Sequence, residues 1–402
     1  MGRSICLRLL GCGIVGVLLV LAWPDFGTPV IYPDTRGYLA WPNDSIIMGH
    51  FRQMGARPPI YPIFLRLVGI GPWLGPIQTV ISVVSWSVCG WVIGGVAGLS
   101  LLGTLSLATP LAFWARQPLT ESLSFSLLAL AVATTVQLAE RWSLSRLTGW
   151  VLTVCAFCWI RDVNLYVGPF LAAPALFQGR RRAAVIVALC IAIVGVGYAS
   201  MGRNDRWEVP LMTVINRRVL PNPDALAYFQ LRGMPPETAH FRGKPDLEAV
   251  GGMRATPGFE SWLRADGLRT YGRWLVSRRE SYAAPYLQVQ QDRLALDAEI
   301  TNGRWPDKLY ALTAPPSIFL LCVLAPLVYF VGRPRQVSAA TIVGALLIVA
   351  TAVQVFICYH GGATEVHRHM LGPMMLYRLA PIVVIFGVLT PFWRRAEKAI
   401  FS

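Results

Sequence analysis

The chain has 402 residues, of which 54% are hydrophobic and 14% charged, and its mean hydropathy is +0.50. Soluble domains carry about 25% charged residues, so this composition excludes an ordinary water-soluble protein. The net charge is +15, and 33 of the 36 basic residues are Arg. These arginines separate apolar blocks, so the first explanation to test for the positive charge is the orientation of the protein in a membrane and not binding to nucleic acid.

Apolar blocks of about 17 to 22 residues recur along the chain, the length that crosses about 30 Å of hydrocarbon as a helix. The first block lacks an A-x-A cleavage site and continues into Trp23-Pro24, so it is predicted to be a retained helix. A tight Gly-rich connection at 94–98 separates the second and third blocks. The sequence predicts ten spans: 6–22, 75–96, 98–114, 119–138, 147–160, 164–178, 183–200, 315–332, 337–358 and 371–391.

Alternate threading of these spans from a cytoplasmic N-terminus places nearly all short basic turns on one side. That side carries twelve basic and two acidic residues, as expected of cytoplasmic turns. The Arg-for-Lys bias is typical of a GC-rich bacterial genome. We therefore expect a multi-pass protein of the bacterial inner (cytoplasmic) membrane with both termini in the cytoplasm. The basic residues are Arg3, Arg8, Arg141, Arg146, Arg180, Arg181, Arg182, Arg333, Arg335, Arg394, Arg395 and Lys398.

One long hydrophilic segment, 201–313, lies on the opposite side with sixteen basic and thirteen acidic residues. Helix-like spacing at 222–232, 257–277 and 285–302 predicts a small, mostly helical extracytoplasmic subdomain that is short of core on its own and leans on the membrane part. The eight cysteines lie in or beside predicted spans, so no disulfide framework is expected in this segment. Its candidate packing residues are Trp207, Trp262, Trp274 and Trp305. The predicted organisation is a transmembrane module at 1–200 with a first external loop at 24–74, the loop subdomain at 201–313, and C-terminal transmembrane helices at 314–402.

Ionisable residues converge on the predicted external ends of different spans. Only eight acids lie outside the long segment, and six of them fall in these short external stretches. Charges at membrane depth are costly, so the retained ones are candidates for function. The acids are Asp25, Asp34, Asp44, Glu121, Asp162 and Glu365, and the bases on the same side are Arg36, Arg52, Arg57, Arg66, Arg116, Arg161, Arg368 and Arg378.

The first external loop contains Tyr32-Pro33-Asp34-Thr35-Arg36-Gly37-Tyr38, followed by two short stretches with interfacial character. Asp34 fits either an N-cap or a general base held over the membrane surface. The turn Arg57-Pro58-Pro59-Ile60-Tyr61-Pro62 separates these two stretches and is predicted not to be regular helix, and it fits a phosphate contact as well as a simple chain reversal.

Two further clusters flank the middle spans. Glu121 follows Pro118 in the first turn of a predicted helix, where a cap and a functional carboxylate are equally compatible with the pattern. Arg161 and Asp162 share a tight external turn, in which they either neutralise each other or face a ligand.

The last cluster, at 359–370, holds three of the five histidines. His367 and His369 suit shared metal ligation only in a strand or turn, and no zinc motif is present. Glu365, Arg368 and, further along, Arg378 favour an anion-binding edge, with a structural ion pair as the alternative.

Taken together, Asp34 with Tyr38, Arg57-Pro58 through Tyr61-Pro62, Pro118 through Glu121, Arg161, and Glu365-x-x-Arg368-His369 resemble the GT-C superfamily of integral membrane glycosyltransferases. The resemblance covers nearly all of the membrane part and none of the 201–313 segment. It implies an all-α polytopic fold with about ten transmembrane helices and a sugar donor carried on polyprenyl phosphate.

The resemblance also implies a hexosyl- or pentosyltransferase that inverts the sugar, with Asp34 as general base and Glu121 orienting the acceptor or a cation. The bilayer is one partner, a glycan, lipid or protein is the acceptor, and no nucleic acid is expected. Asp34 is followed by Thr35 rather than by a second acid, so a divalent ion, Mg²⁺ or Mn²⁺, is left open. The resemblance implies that the residues that bind the donor phosphate are Arg57, Arg161, Arg368 and Arg378. It implies that the residues that contact the acceptor or support the site are Tyr38, Tyr61, Asp162, Glu365, His367 and His369.

Two other classes of protein share parts of this pattern. An O-antigen polymerase or ligase has a similar number of spans and a long external loop, but its active Arg residues would lie in that loop. A transporter or lipid flippase favours charges near the bilayer centre and repeated, broken helices, and neither is clear in this sequence.

Overall fold

The computed structural model describes residues 2–22, 35, 38, 58–115, 117–202, 207–278, 284–285, 305–312, 338–363 and 366–401. These residues form helices and turns, and no strand occurs among them. The chain divides into two compact units: residues 1–200, 296–351 and 374–402 form the first, and residues 201–295 and 352–373 form the second.

The α-helices are numbered in chain order. Up to the start of the second unit they are α1 Gly2–Ala22, α2 Ile60–Val68, α3 Leu74–Leu105, α4 Thr109–Ala115, α5 Thr120–Glu140, α6 Leu144–Ile160 and α7 Arg180–Gly202. The remainder are α8 Glu208–Val214, α9 Pro223–Gln230, α10 Asp246–Ala255, α11 Phe259–Trp262, α12 Leu268–Ser277, α13 Trp305–Leu312, α14 Ala339–His360 and α15 Val366–Phe401.

Five helical stretches in the described part of the chain are long and apolar enough to cross a membrane. Two shorter apolar helices, Leu10–Leu21 and Leu144–Ile160, accompany them. This is the architecture of a helical membrane protein with several passes, while the full number of ten spans stays a prediction. The five are Leu74–Leu105, Thr120–Glu140, Arg180–Ala199, Ala339–His360 and Arg368–Leu389.

Helix α3 reverses direction at its centre. Gly94 and Gly95 leave the helical conformation, and Gly95 has φ +60°, a left-handed value that glycine adopts without a Cβ penalty. A Cβ on Gly90 would lie 2.1 Å from the carbonyl oxygen of Gly98, a contact that a straight helix could not make. The two arms therefore fold back on each other with their backbones touching, at the Gly-rich connection that the sequence predicts.

The predicted span at 164–178 forms two 3-10 helices, Asp162–Tyr166 and Gly168–Phe177, and not an α-helix. Pro169 and Pro174 each lack a backbone N–H, and Pro174 lies inside the second of these helices. Pro169 lies in the first turn of that helix, where its N–H would have no partner in the helix, whereas Pro174 removes an interior i to i−4 bond, and this loss favours tighter winding. The predicted span at 315–332 lies outside the described residues.

Helix α13 contributes a cap to another part of the first unit. The Asp307 carboxylate, 3% exposed, accepts hydrogen bonds from the backbone N–H of Thr109 at 2.6 Å and from its hydroxyl at 2.8 Å. Both bonds satisfy groups at the start of α4 that would otherwise have no partner in the helix. A contact across 198 positions of sequence thus fixes α4.

The second unit has its own apolar core, built from short helices, so the prediction of a segment short of core was wrong. Leu211, Met212, Ile215, Phe229 and other side chains form one buried cluster. Two single π-turns, Ile215–Val219 and Leu263–Gly267, join consecutive α-helices in this unit. Of the predicted packing residues, Trp262 belongs to the cluster and Trp207 and Trp274 pack against it.

Ion pairs and caps complete the second unit. The buried Glu208 carboxylate contacts Arg264 at 2.8 Å and Arg254 at 3.5 Å. At the C-terminal end of α14, Arg218 donates to the carbonyl of Tyr359 at 2.7 Å, and the Tyr271 hydroxyl donates to that of His360 at 3.1 Å. The terminal carbonyls of α14 are thereby satisfied within this unit. Burial, partly offset by Arg218, raises the pKa of Tyr271 to about 12.

Candidate active site

A buried apolar cluster in the first unit brings together four separate parts of the sequence. It contains Tyr38 from the first external loop, Tyr61 and Leu65 from α2, Leu119 and Leu123 around the start of α5, and Ile160 at the end of α6. The rings of Tyr38 and Tyr61 pack edge to face with centroids 5.1 Å apart. Leu119 and Leu123 flank Glu121, and Ile160 precedes Arg161. Packing of these apolar residues therefore fixes the backbone that carries the two charged side chains.

Three side-chain hydrogen bonds hold the turn that leads into α5. The Thr35 hydroxyl donates to the carbonyl of Pro118 at 3.2 Å. The Gln78 amide, from the first turns of α3, donates to the carbonyls of Ala115 at 3.1 Å and Gln117 at 3.0 Å. Thr35 follows Asp34 in the chain, so the first of these bonds ties the predicted general-base segment to the helix that carries Glu121.

Glu121 and Arg161 form a buried ion pair. Glu121 has no solvent exposure and Arg161 is 8% exposed. Their closest oxygen and nitrogen, Oε1 and Nη2, are 3.6 Å apart, longer than the about 2.7–2.9 Å of a charge-assisted hydrogen bond. The attraction neutralises two charges that would otherwise be costly in this setting, yet it leaves hydrogen-bonding capacity on the guanidinium unused.

Two donors in this cluster have no hydrogen-bond partner among the described residues: Nη1 of Arg161 and the hydroxyl of Tyr61. Burial, together with Tyr38 and the nearby Glu121 carboxylate, raises the pKa of the Tyr61 phenol well above its ordinary value. Tyr61 therefore remains a protonated donor at physiological pH. An unsatisfied buried donor costs about 1–3 kcal/mol, so each of these two groups is a candidate contact for an acceptor oxygen of a ligand.

The turn after α6 is anchored on both sides of the ion pair. The Asn164 amide donates to the Ser124 hydroxyl at 2.9 Å and to the carbonyl of Phe157 at 2.8 Å. The Asp162 carboxylate accepts from the backbone N–H of Val163 at 3.1 Å. Asp162 is therefore engaged in local turn geometry, and Arg161 faces Glu121.

The remaining predicted site residues belong to other elements of the chain. Arg378 is buried in the first unit, in α15, and is 4% exposed. Arg368 and His369 belong to the second unit, where the His369 ring lies near Gly362. The structure thus joins Tyr38, Tyr61, Glu121 and Arg161 in one cluster. Asp34, Arg57, Glu365 and the side chain of His367 lie outside the described residues.

A divalent metal has limited support from this cluster. Within the described ranges, no group of three or more His, Cys, Asp and Glu side chains comes together. Among the described residues, the carboxylate that this site offers is that of Glu121, and the Arg161 cation already lies 3.6 Å from it. A metal ion beside Glu121 would meet that positive charge, so these residues do not form a metal site by themselves.

Sequence reasoning missed Thr35 and Gln78, which hold the turn before α5. A signal for Gln78 was present, because it carries the single amide side chain in the predicted span 75–96. A buried amide in an apolar helix needs hydrogen-bond partners, and here the partners are backbone carbonyls of the neighbouring turn. Thr35 offered no such signal, since hydroxyls are common in loops.

The fold defines this chain as a helical membrane protein with several apolar helices, a buried apolar cluster that includes α2, and the buried ion pair of Glu121 and Arg161. Comparisons with protein families, with curated proteins and with solved structures each found no match to the chain.

Proposed function

We propose that the chain is an integral membrane glycosyltransferase that moves a sugar from a polyprenyl-phosphate donor to an acceptor hydroxyl. The observation that supports this function best is the buried cluster in which Arg161 and Tyr61 present unpartnered donors beside Glu121. A phosphate group supplies several acceptor oxygens and a negative charge, which match a cation with a free N–H and a neutral phenol.

Arg161 and Tyr61 stabilise the departing phosphate in this proposal. As the bond between the sugar C1 and the phosphate oxygen breaks, negative charge grows on that oxygen. Donors already fixed in a buried site meet this charge without reorganisation. Glu121 is a positioning residue, because its carboxylate holds the guanidinium of Arg161 in place.

Asp34 accepts the proton from the acceptor hydroxyl as its oxygen attacks C1 from the opposite face. One C–O bond forms, one breaks, and polyprenyl phosphate leaves with the bonding electrons, so the configuration at C1 is inverted. The hydrogen bond from Thr35 to Pro118 supports this role, because it links the residue after Asp34 to the start of α5.

The setting of the reaction is the extracytoplasmic face of a bacterial inner membrane. A prenyl chain remains in the hydrocarbon and presents its phosphate at the surface, where a charged group near a helix end is least costly. Arg57, Arg368 and Arg378 are further phosphate contacts implied by the resemblance, and the acceptor is a glycan, a lipid or a protein.

Asp34→Asn tests the general-base assignment. Loss of a positioned general base lowers a rate by about 100- to 10,000-fold, so transfer from a synthetic polyprenyl-phosphate sugar should fall by at least about 100-fold. The assay compares purified wild type, Asp34→Asn and Asp44→Asn, with Asp44 as a carboxylate of the same external segment that has no assigned role. Full turnover by Asp34→Asn would remove the assignment. No transfer by wild type from any prenyl-phosphate donor, with binding of a small solute, would favour a transporter instead.

Tyr61→Phe separates binding of the leaving group from stability. The Tyr61 hydroxyl has no partner among the described residues, so its removal should leave the Tm unchanged or slightly raised. Transfer should fall by about 10-fold or more if the hydroxyl donates to the leaving phosphate. Tyr166→Phe is the matched control, because its hydroxyl is exposed and bonds to that of Tyr198 at 2.9 Å. Unchanged transfer by Tyr61→Phe would show that this hydroxyl does not contact the donor.

A further inference from the structure

Two arginine-bearing turns of the first unit lie side by side at one end of α5. The Gln178 amide donates to the carbonyl of Leu138 at 3.2 Å, which joins the turn before α7 to the end of α5. The Arg182 guanidinium lies 5.3 Å from the ring centroid of Trp142, in the turn between α5 and α6. We call this the arginine surface, and its residues are Arg141, Trp142, Arg146, Arg180, Arg181 and Arg182.

The arginine surface is strongly positive. Stretches 137–147 and 178–182 contain five arginines and one acid, Glu140. Arg180, Arg181 and Arg182 form the first turn of α7, and that turn contains no acidic residue. The exposed N–H groups at the start of a helix already carry partial positive charge. The three arginine cations at this position are therefore repelled by that charge and by one another. An anion at this surface would relieve that repulsion.

Apolar side chains border the arginine surface. Leu144, 75% exposed, opens α6, and Leu176, 68% exposed, lies four residues before Arg180. Val185 is one helical turn beyond Arg182 on α7 and is 44% exposed. Free inorganic phosphate would contact the arginines and leave this apolar border unused. A ligand with an anionic head and hydrocarbon chains would contact both.

We propose that the arginine surface is a binding site for the phosphate headgroup of an anionic membrane phospholipid. The exposed guanidinium groups of Arg181 and Arg182 face the phosphate oxygens, and the acyl chains lie along Leu144, Leu176 and Val185. Trp142 is a residue type enriched at the boundary between headgroups and hydrocarbon. Basic clusters directly beside membrane helices favour anionic lipids for the same electrostatic reason.

Lipid titration of the purified, delipidated full chain tests this site. Phosphatidylglycerol should raise the Tm by several degrees and remain bound in native mass spectrometry, whereas phosphatidylcholine should do neither. In Arg181→Gln/Arg182→Gln the bound phosphatidylglycerol should fall several-fold. In Arg269→Gln/Arg273→Gln, which removes two exposed arginines of the second unit, lipid binding should match wild type.

Loss of positive charge can also alter membrane orientation, so a charge-preserving variant completes the test. Arg181→Lys/Arg182→Lys keeps two cations but loses the planar guanidinium groups that can each donate two hydrogen bonds to a phosphate. Phosphatidylglycerol should therefore bind about 3- to 10-fold more weakly to this variant than to wild type. Wild-type binding by the Gln variant would overturn the proposal. An equal shift in Tm with phosphatidylcholine, or with inorganic phosphate at the same concentration, would overturn it as well.

Discussion

Replacing Arg161 by methionine is expected to remove transfer activity and to lower the free energy of unfolding by about 3–5 kcal/mol. Glu121 has no solvent exposure, and Arg161 is its ion-pair partner at 3.6 Å. Removal of the cation leaves a buried carboxylate without its ion-pair partner, with the Thr120 hydroxyl at 3.4 Å as a weaker contact, so the charged form of Glu121 is disfavoured. Thermal and denaturant unfolding in detergent measure the loss.

The double variant Glu121→Gln/Arg161→Met distinguishes a structural pair from a catalytic one. Removal of both charges often restores the stability that is lost when one is removed, so the double variant should be more stable than Arg161→Met alone. Transfer should stay absent, because the Nη1 donor is still missing. Recovery of both stability and transfer would show that the pair only supports the fold.

Arg254→Met is the matched control for this series. Arg254 also contacts a buried carboxylate, Glu208, but it is about 42% exposed and Arg264 remains at 2.8 Å from the same carboxylate. The expected loss of stability is at most about 1 kcal/mol. If Arg254→Met lowered the free energy of unfolding as much as Arg161→Met, a remaining partner would give Glu208 no protection. Burial of the carboxylate would then determine the loss of stability, and not the loss of its last cationic partner.

Gly90→Val is expected to prevent the two arms of α3 from packing, with little folded protein recovered from the membrane. A Cβ at this position would lie 2.1 Å from the Gly98 carbonyl oxygen and 2.7 Å from the Leu99 nitrogen. Both are backbone atoms, so no side-chain rotation relieves the clash. The cost should exceed the about 1–3 kcal/mol that overpacking usually causes, because whole helices must shift.

Gly149→Ala is the control for the glycine variant. Gly149 lies within α6, and a Cβ there meets nothing within 4 Å. Alanine should leave the Tm unchanged or raise it slightly, since it restricts the unfolded chain and favours helix. Size-exclusion profiles and Tm of both variants provide the comparison. A Tm like that of wild type for Gly90→Val would contradict direct backbone packing of the two arms.

The sequence predicted the helical membrane class, which the structure confirms, and it singled out Glu121 and Arg161 as candidate site residues. Apolar length alone identifies membrane helices, and charges kept near their ends are rare enough to attract attention. The reversal at 94–98 was also visible, since consecutive glycines weaken a helix. The sequence did not pair Arg161 with Glu121, because 40 residues separate them and the neighbouring Asp162 was an equally plausible partner.

The 3-10 winding of 164–178 was missed for a different reason. Hydropathy measures the apolar character of this segment, not its backbone hydrogen bonds, so a span prediction is silent on helix type. Pro169 and Pro174 carried the information, but proline is tolerated in membrane helices when neighbouring groups satisfy the freed carbonyls. The cap that Asp307 provides to Thr109 could not be predicted either. Asp307 lies in a long polar segment with many acids, and no sequence pattern distinguishes it from them.

The bond from Thr109 to Asp307 also sets an order of events during synthesis. The ribosome adds about 5–20 residues per second, so the carboxylate that caps α4 emerges about 10–40 seconds after α4 itself. During that interval residues 201–295 of the second unit are made while the start of α4 lacks its partner. The membrane helices around α4 therefore reach their final arrangement only after more than three quarters of the chain has been translated, late enough for chaperones or the insertion machinery to act on them.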